Sequence, residues 1–359
     1  MPVAAPLTYG CAAAYNSPMK QKARQTFSEI GSTTWEHPAD RATLATLQKI
    51  PGLDQVVKFF LSFTSDRALR LLYLGSSVRV SDKQFPRVNT LVQEACTVLD
   101  YQDELDVFVT YDPRMNAGAI GVNRPFLTLN SSIVAALDDE ELIAVIGHEL
   151  GHCMSGHVLY KTLLWALVSM GFRMVRIPGA DLLTFPIVAA LKEWDRKSEL
   201  SADRAGLLVC QNPEVSYRVL MKLAGGEDIG QMDINEFLVQ ASEYAAGGDV
   251  IDSVHKMLNT WTLSHPFPVV RVPELKRWVD DGSYQAIRDG AYARRGEERP
   301  KAGEQIKRAH QRYKSDFEQS DDPFASAVKG LGRFADSVGQ RGEELIKNLS
   351  DKLGGSSQE

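Results

Sequence analysis

The chain has no CxxC pair. Its four cysteines stand singly at positions 11, 96, 153 and 210, with no spacing that would build a disulfide framework, so a reducing compartment is expected. It has no excess of positive charge: 40 basic against 46 acidic residues leave a net charge of −6. Phosphate contacts need a concentrated basic face, so nucleic acid is not an expected partner. It also has no long apolar run. The most apolar stretch, residues 158–190, contains LLWALVSMGF and LLTFPIVAAL, but Lys161, Arg173, Arg176, Asp181 and the pair Pro178-Gly179 interrupt it. No segment reaches the roughly 18–20 uninterrupted apolar residues of a spanning helix. The opening MPVAAPLTYGCAAAYNSPMK has neither the basic region nor the continuous apolar core of an export signal. These absences lead to the expectation of a cytoplasmic protein. The remaining composition, 44% hydrophobic and 24% charged over 359 residues, is that of a globular chain with room for one large domain or two.

Residues 1–35 are small, polar and aperiodic and read as a flexible tail. A catalytic-sized domain is expected over 36–290, with its core at 80–280. Residues 291–322 form a charged linker, and 323–359 an amphipathic tail with apolar residues near helical spacing. Within the domain, residues 38–60 predict two short helices broken at Pro51-Gly52. Val88, Leu91, Val92, Ala95 and Val98 recur at helical spacing. The period then changes. Leu105 to Tyr111 alternates and is β-rich, and Ala119 to Leu129 predicts further strands around Asn123-Arg124-Pro125. Asp138, with Glu141 three residues on, predicts a capping box opening a helix. Residues 158–190 predict a buried helical hairpin or, alternatively, a membrane-facing element. A helix follows over Trp194–Gln211.

The helix that opens at Asp138 carries His148-Glu-Leu-Gly-His152, the pattern H-E-x-x-H. Residues four apart share a helix face, so two imidazoles can converge on one zinc ion. Glu149 beside them is placed to take a proton from an attacking water. Gly151 and Gly156 each cost about 1 kcal/mol of helix propensity, which predicts close approach by another backbone or a substrate. His157 lies five residues beyond His152, turned about 140° around a continuing helix, and is not expected to share the metal. A catalytic zinc needs a third protein ligand and one open position. A third histidine six residues after the motif is ruled out, because Val158 stands there. A carboxylate from a later helix remains. Glu199 and Asp203 are four apart on one face: Glu199 can ligate, and Asp203 can accept the free imidazole N–H of a ligating histidine. Glu193 and Asp195 are the neighbouring competitors.

HELGH followed about 45–50 residues later by SELSAD resembles the HtpX and CAAX-prenyl-protease family of zinc metallopeptidases, which includes the mitochondrial Oma-type and periplasmic BepA-type enzymes. Three further stretches share the resemblance: Asn116-Ala117, the lead-in from Leu137 to Gly147, and Ser264-His-Pro-Phe-Pro-Val-Val-Arg271. It spans roughly residues 80–280. It implies that His148, His152 and Glu199 hold one zinc ion per chain, with Glu149 as general base and later proton donor. It implies that His265 faces the site, as oxyanion stabiliser or as a resting zinc ligand, and that Arg271 binds a substrate carbonyl or carboxylate. Asn116 and Ala117 would open the edge strand that holds an extended peptide. Gly118 departs from the family pattern, which usually has an aromatic residue or alanine beside that position.

The expectation is an α+β fold, mostly helical: a gluzincin metallopeptidase core with a small mixed β-sheet beside the H-E-x-x-H helix. The expected activity is that of a zinc metalloendopeptidase on peptides or unfolded proteins, in quality control near a membrane. Contact with the inner membrane face would come through 158–190 or 323–350. The alternative is a latent or non-proteolytic, chaperone-like metal-binding module; an intact Glu149 argues against it, because a scaffold has no use for a general base.

Overall fold

The computed structural model describes residues 23–50, 52–169, 181–246 and 267–297. The expected break at Pro51-Gly52 separates α1 (Pro38–Leu47) from α2 (Leu53–Phe63), with Gly52 in the left-handed region at φ 88°. The chain continues through α3 (Asp66–Ser76), the short β1 (Val78–Arg79) and α4 (Pro86–Val98). All five apolar positions predicted for α4 are buried.

Three strands follow: β2 (Val107–Thr110), β3 (Ala117–Ile120) and β4 (Phe126–Asn130). The sheet order is β1-β2-β4-β3. β2 and β4 pair in parallel, and β1 and β3 flank them antiparallel, so the sheet is small and mixed as expected. Every residue of the central β4 is buried, whereas β3 alternates and lies at the edge. Asp66 at the start of α3 holds the turn between β3 and β4: its carboxylate accepts the backbone N–H groups of Val122, Asn123 and Arg124 at 2.6–3.2 Å.

After α5 (Ser131–Ala136) comes α6 (Asp139–Met154). Its predicted capping box is present. Asp138 accepts the Glu141 N–H at 2.8 Å, and Glu141 accepts the Asp138 N–H at 3.1 Å. Glu141 is buried and also receives Lys222 at 2.8 Å, which anchors the helix start. α7 (Val158–Ser169) leads to α8 (Asp181–Cys210), a 30-residue helix longer than the sequence reading of it. α9 (Pro213–Gly225), α10 (Ile234–Ala246), α11 (Pro268–Asp280) and α12 (Ser283–Arg288) complete the described α-helices.

Among the described residues two main apolar clusters result, with a small third of Leu69, Phe108 and Phe126. The larger joins the sheet, α4, α6, the C-terminal half of α8, α9 and α11. The smaller joins α1, α2, α7 and Ile187–Trp194 of α8. The described part of the 158–190 stretch is thus largely interior. No helix among the described residues is long and apolar enough to cross a membrane.

Residues 23–35 differ from the tail read in the sequence. Phe27, Ile30 and Trp35 are fully buried in the larger cluster, and Ile30 bridges Arg294. The start of the expected charged linker packs there too, with Ala293 buried. Aperiodic segments without local pattern can still supply anchors to a core built by distant elements. Residues 1–22 and 298–359, including the amphipathic tail, lie outside the described residues.

Candidate metal centre

Glycines on both sides bring α6 and α8 together. A Cβ added at Gly147 would lie 2.6 Å from Val209 Cβ, and one at Gly151 would lie 2.6 Å from Ala205 Cβ. From the other helix, a Cβ at Gly206 would lie 2.7 Å from the carbonyl oxygen of Ala144. Gly151 therefore meets the close approach its helix cost predicted. Gly156 does not: it lies beyond the end of α6, at φ 70°, with nothing near its Cβ position. It turns the chain from α6 into α7, so His157 is not on a continuation of the motif helix.

This tight crossing places His148, His152 and Glu199 so that one ligand atom from each lies within 4.8 Å of the others. His148 Nε2 is 3.3 Å from Glu199 Oε2, and His152 Nε2 is 3.2 Å from Glu199 Oε1. Asp203, one turn further along α8, lies 3.0 Å from His148 Nδ1. A carboxylate only accepts, so His148 donates through Nδ1 and presents Nε2 toward Glu199. His152 Nδ1 contacts His157 Nδ1 at 3.0 Å, which likewise leaves Nε2 facing inward. Two imidazole nitrogens and a carboxylate oxygen, all buried and aimed at one point, are a donor set that fits zinc. Glu193 and Asp195, the competing carboxylates, turn elsewhere: Glu193 pairs with Arg196, and Asp195 with Lys161 at 2.7 Å.

The electrostatics are asymmetric. Burial lowers the His152 pKa well below the ordinary histidine value, and Lys161 adds to this, so the ring is neutral and ready to ligate. At His148, burial acts in the same direction, but the Glu199 and Asp203 carboxylates outweigh it and push the pKa up to about 9. Burial also acts to raise the Asp203 carboxyl, and Arg271 and His148 more than offset it. Glu199 sits between two cations, with Lys161 Nζ 2.7 Å from Oε1 and Arg271 Nη1 3.2 Å from Oε2.

Arg271 is buried. It grips Asp203 through two bonds, Nε to Oδ2 at 2.8 Å and Nη2 to Oδ1 at 2.5 Å. The structure thus engages it with the acidic pair of α8, and it also borders the cavity where the expected substrate contact would be made. The roles of His157, Lys161 and Arg271 toward the ligands were missed from sequence. Only the unusual burial of charge in an apolar stretch, as at Lys161, could have drawn attention there.

A cavity of about 300 Å³ opens beside the ligands. Glu149, His148, Asp203 and Arg271 line it. Ile133, Val145, Val219, Leu220, Leu223 and Leu275 make an apolar wall. Asn116 and Ala117 border it where the edge strand β3 begins. Gly118 leaves room for a larger residue: its Cβ position is 3.6 Å from Thr128 Cγ2, an ordinary contact. His265 lies outside the described residues.

The family model for peptidase family M48 matches residues 82–279. The plastoglobule-localized metallopeptidase 48 of Arabidopsis thaliana, a chloroplastic protein, is 32% identical over 266 residues, covering 73% of this chain and 76% of that one. Protease HtpX homolog 2 of Methanosarcina mazei is 22% identical over 251 residues, 62% of this chain and 81% of the relative. The protease HtpX homolog of Streptococcus equi subsp. equi is 27% identical over 154 residues, 34% of this chain and 52% of that one. No solved structure matches the chain. With the matched region enclosing the whole H-E-x-x-H and E-x-x-x-D constellation, the chain belongs to peptidase family M48 and is a metallopeptidase of the HtpX-like kind.

Proposed function

We propose that this metallopeptidase is a zinc-dependent endopeptidase acting on extended or unfolded polypeptide. The observation that carries the reading is the convergence of His148, His152 and Glu199 within 4.8 Å, beside a cavity that His148 and Glu149 line and the start of an edge strand borders. Zinc bound by those three residues would polarise a carbonyl and make water more acidic. Glu149 takes the proton from the attacking water and delivers it to the departing amine nitrogen. The edge strand β3 pairs with an extended substrate by strand addition, with Asn116 and Ala117 at its start. The apolar wall of the cavity takes a large apolar side chain beside the scissile bond. Arg271 and Asp203 hold His148 and Glu199 in register, and His265 remains our candidate for oxyanion stabilisation.

The test is metal content paired with casein cleavage, for wild type and Glu149→Gln. One zinc per chain in both proteins, with cleavage by wild type alone, supports the peptidase. Zinc in both with cleavage in neither favours the latent or chaperone-like module.

We further propose a role in protein quality control in the cytoplasm, at the inner face of a membrane. Exposed apolar side chains support it: Phe59 and Phe63 on α2, Leu71, Leu72 and Leu74 on α3, and Trp165 on α7. Apart from Trp165, these lie outside the stretches 158–190 and 323–350 that drew attention in the sequence. Flotation with liposomes that leaves all the protein in the soluble fraction would sink this part of the reading.

A further inference from the structure

We infer that His157 and Asp40 are positioning residues for the metal ligand His152, and that the N-terminal helix α1 is thereby part of the metal centre. The inference rests on the reading of His148, His152 and Glu199 as metal ligands.

A histidine that ligates through Nε2 must carry its proton on Nδ1. His152 Nδ1 therefore donates, and its partner at 3.0 Å, His157 Nδ1, accepts. That assignment puts the His157 proton on Nε2, which lies 3.0 Å from Asp40 Oδ2. Asp40 can only accept. The donors run in one direction, from His152 to His157 to Asp40, and no other arrangement of protons satisfies both contacts while leaving His152 able to ligate. The exposures of the three residues are 0%, 2% and 1%, so no solvent competes for these bonds.

The end of the chain is itself held. Asp40 also accepts from Ser201 Oγ at 2.6 Å and from Trp194 Nε1 at 3.1 Å. The His157 ring is seated edge-on against Trp194, with centroids 5.5 Å apart. The two metal ligands of α6 are thus oriented in two ways. His148 meets a carboxylate directly, on α8. His152 reaches one through an interposed imidazole, and the carboxylate comes from α1. A ligand nitrogen so oriented is more basic and loses less freedom on binding metal. Asp40 lies outside residues 82–279, the region that matches the family model.

The test uses the full chain, as wild type, His157→Phe and Asp40→Asn. Zinc affinity is measured by competition with a chromophoric chelator, the visible spectrum is recorded for the cobalt-loaded proteins, and the melt is recorded for the metal-free proteins. We expect zinc affinity to fall about ten- to hundredfold in His157→Phe and by less in Asp40→Asn. The cobalt bands should change in both, while the metal-free proteins still melt cooperatively. If His157→Phe does not fold, the affinity and cobalt spectrum of Asp40→Asn decide. Equal zinc affinity and an unchanged cobalt spectrum in the folded variants overturn the inference. So does a lowered metal-free melt with unchanged affinity, which is the mark of a purely structural role. If wild type itself binds no zinc, the ligand assignment fails first and takes this inference with it.

Discussion

Gly206→Ala puts the helix crossing to a quantitative test. Two effects oppose each other. Alanine improves helix propensity by about 1 kcal/mol relative to glycine. Its Cβ, however, would lie 2.7 Å from the Ala144 carbonyl oxygen and 3.4 Å from His148 Cβ and N. The first contact is roughly 0.7 Å short of an ordinary one, and overpacking of this kind costs about 1–3 kcal/mol. The obstructing atom is backbone, so it cannot rotate away; α6 and α8 must separate. His148 rides on one helix and Glu199 on the other, whereas metal–ligand distances tolerate about ±0.2 Å. The expected outcome is a metal-free protein of similar or slightly lower stability whose zinc affinity has fallen at least tenfold. Chelator competition and differential scanning calorimetry of the metal-free protein measure the two quantities separately. Gly118→Ala, with its ordinary 3.6 Å contact, is the control and should bind zinc normally. A Gly206→Ala protein that melts higher and binds zinc as wild type does would refute the claim that this crossing sets the ligand geometry.

Acid should weaken the fold through His37. Burial pushes its pKa down to about 4, with Arg204 adding to the effect, and its Nδ1 accepts the Ala39 N–H that caps α1, which requires a neutral ring. The unfolded chain binds this proton near the ordinary histidine value of 6.5 and the folded one does not. Stability is therefore intact above about pH 6.5 and falls by up to about 3 kcal/mol as pH drops toward 4. His37→Asn keeps a capping acceptor and should flatten that slope in a pH series of urea melts. Zinc must displace the proton that His148 holds up to about pH 9, so apparent zinc affinity should rise about tenfold per pH unit below that value, as chelator competition at several pH values would show. Val219→Phe narrows the apolar wall of the cavity. It should lower kcat/KM for peptides with leucine or phenylalanine beside the cleaved bond far more than for alanine peptides, without changing metal content.

What could be read from the sequence was local. The capping box of Asp138 and Glu141, the five buried positions of α4 and the i, i+4 pairs His148/His152 and Glu199/Asp203 are patterns within one or two helical turns, and the structure places them accordingly. What escaped was long-range or broke a pattern. Counting His157 along a continuing helix turned it away from His152, but Gly156 at φ 70° ends that helix and brings the ring back. Asp40 meets His157 across more than a hundred residues, from the first turn of α1. Residues 23–35 show no periodicity because single anchors, Phe27, Ile30 and Trp35, do the packing. Arg271 fitted a substrate contact by resemblance, and only the folded chain brings it against Asp203.

The length of α8 has a consequence for how the molecule comes apart. At about 1.5 Å per residue, its 30 residues thread both apolar clusters, with Ile187 to Trp194 in one and Ala205 to Cys210 in the other. Glu199 lies between them. Neither cluster can open fully while the other holds the same rod, so the two should lose their amide protection together in hydrogen exchange. An ion gripped between the two clusters on that rod would slow exchange in both directions along it. Metal loading would then register at α1 and α2 as clearly as at α6, and chelation would loosen the molecule as a whole.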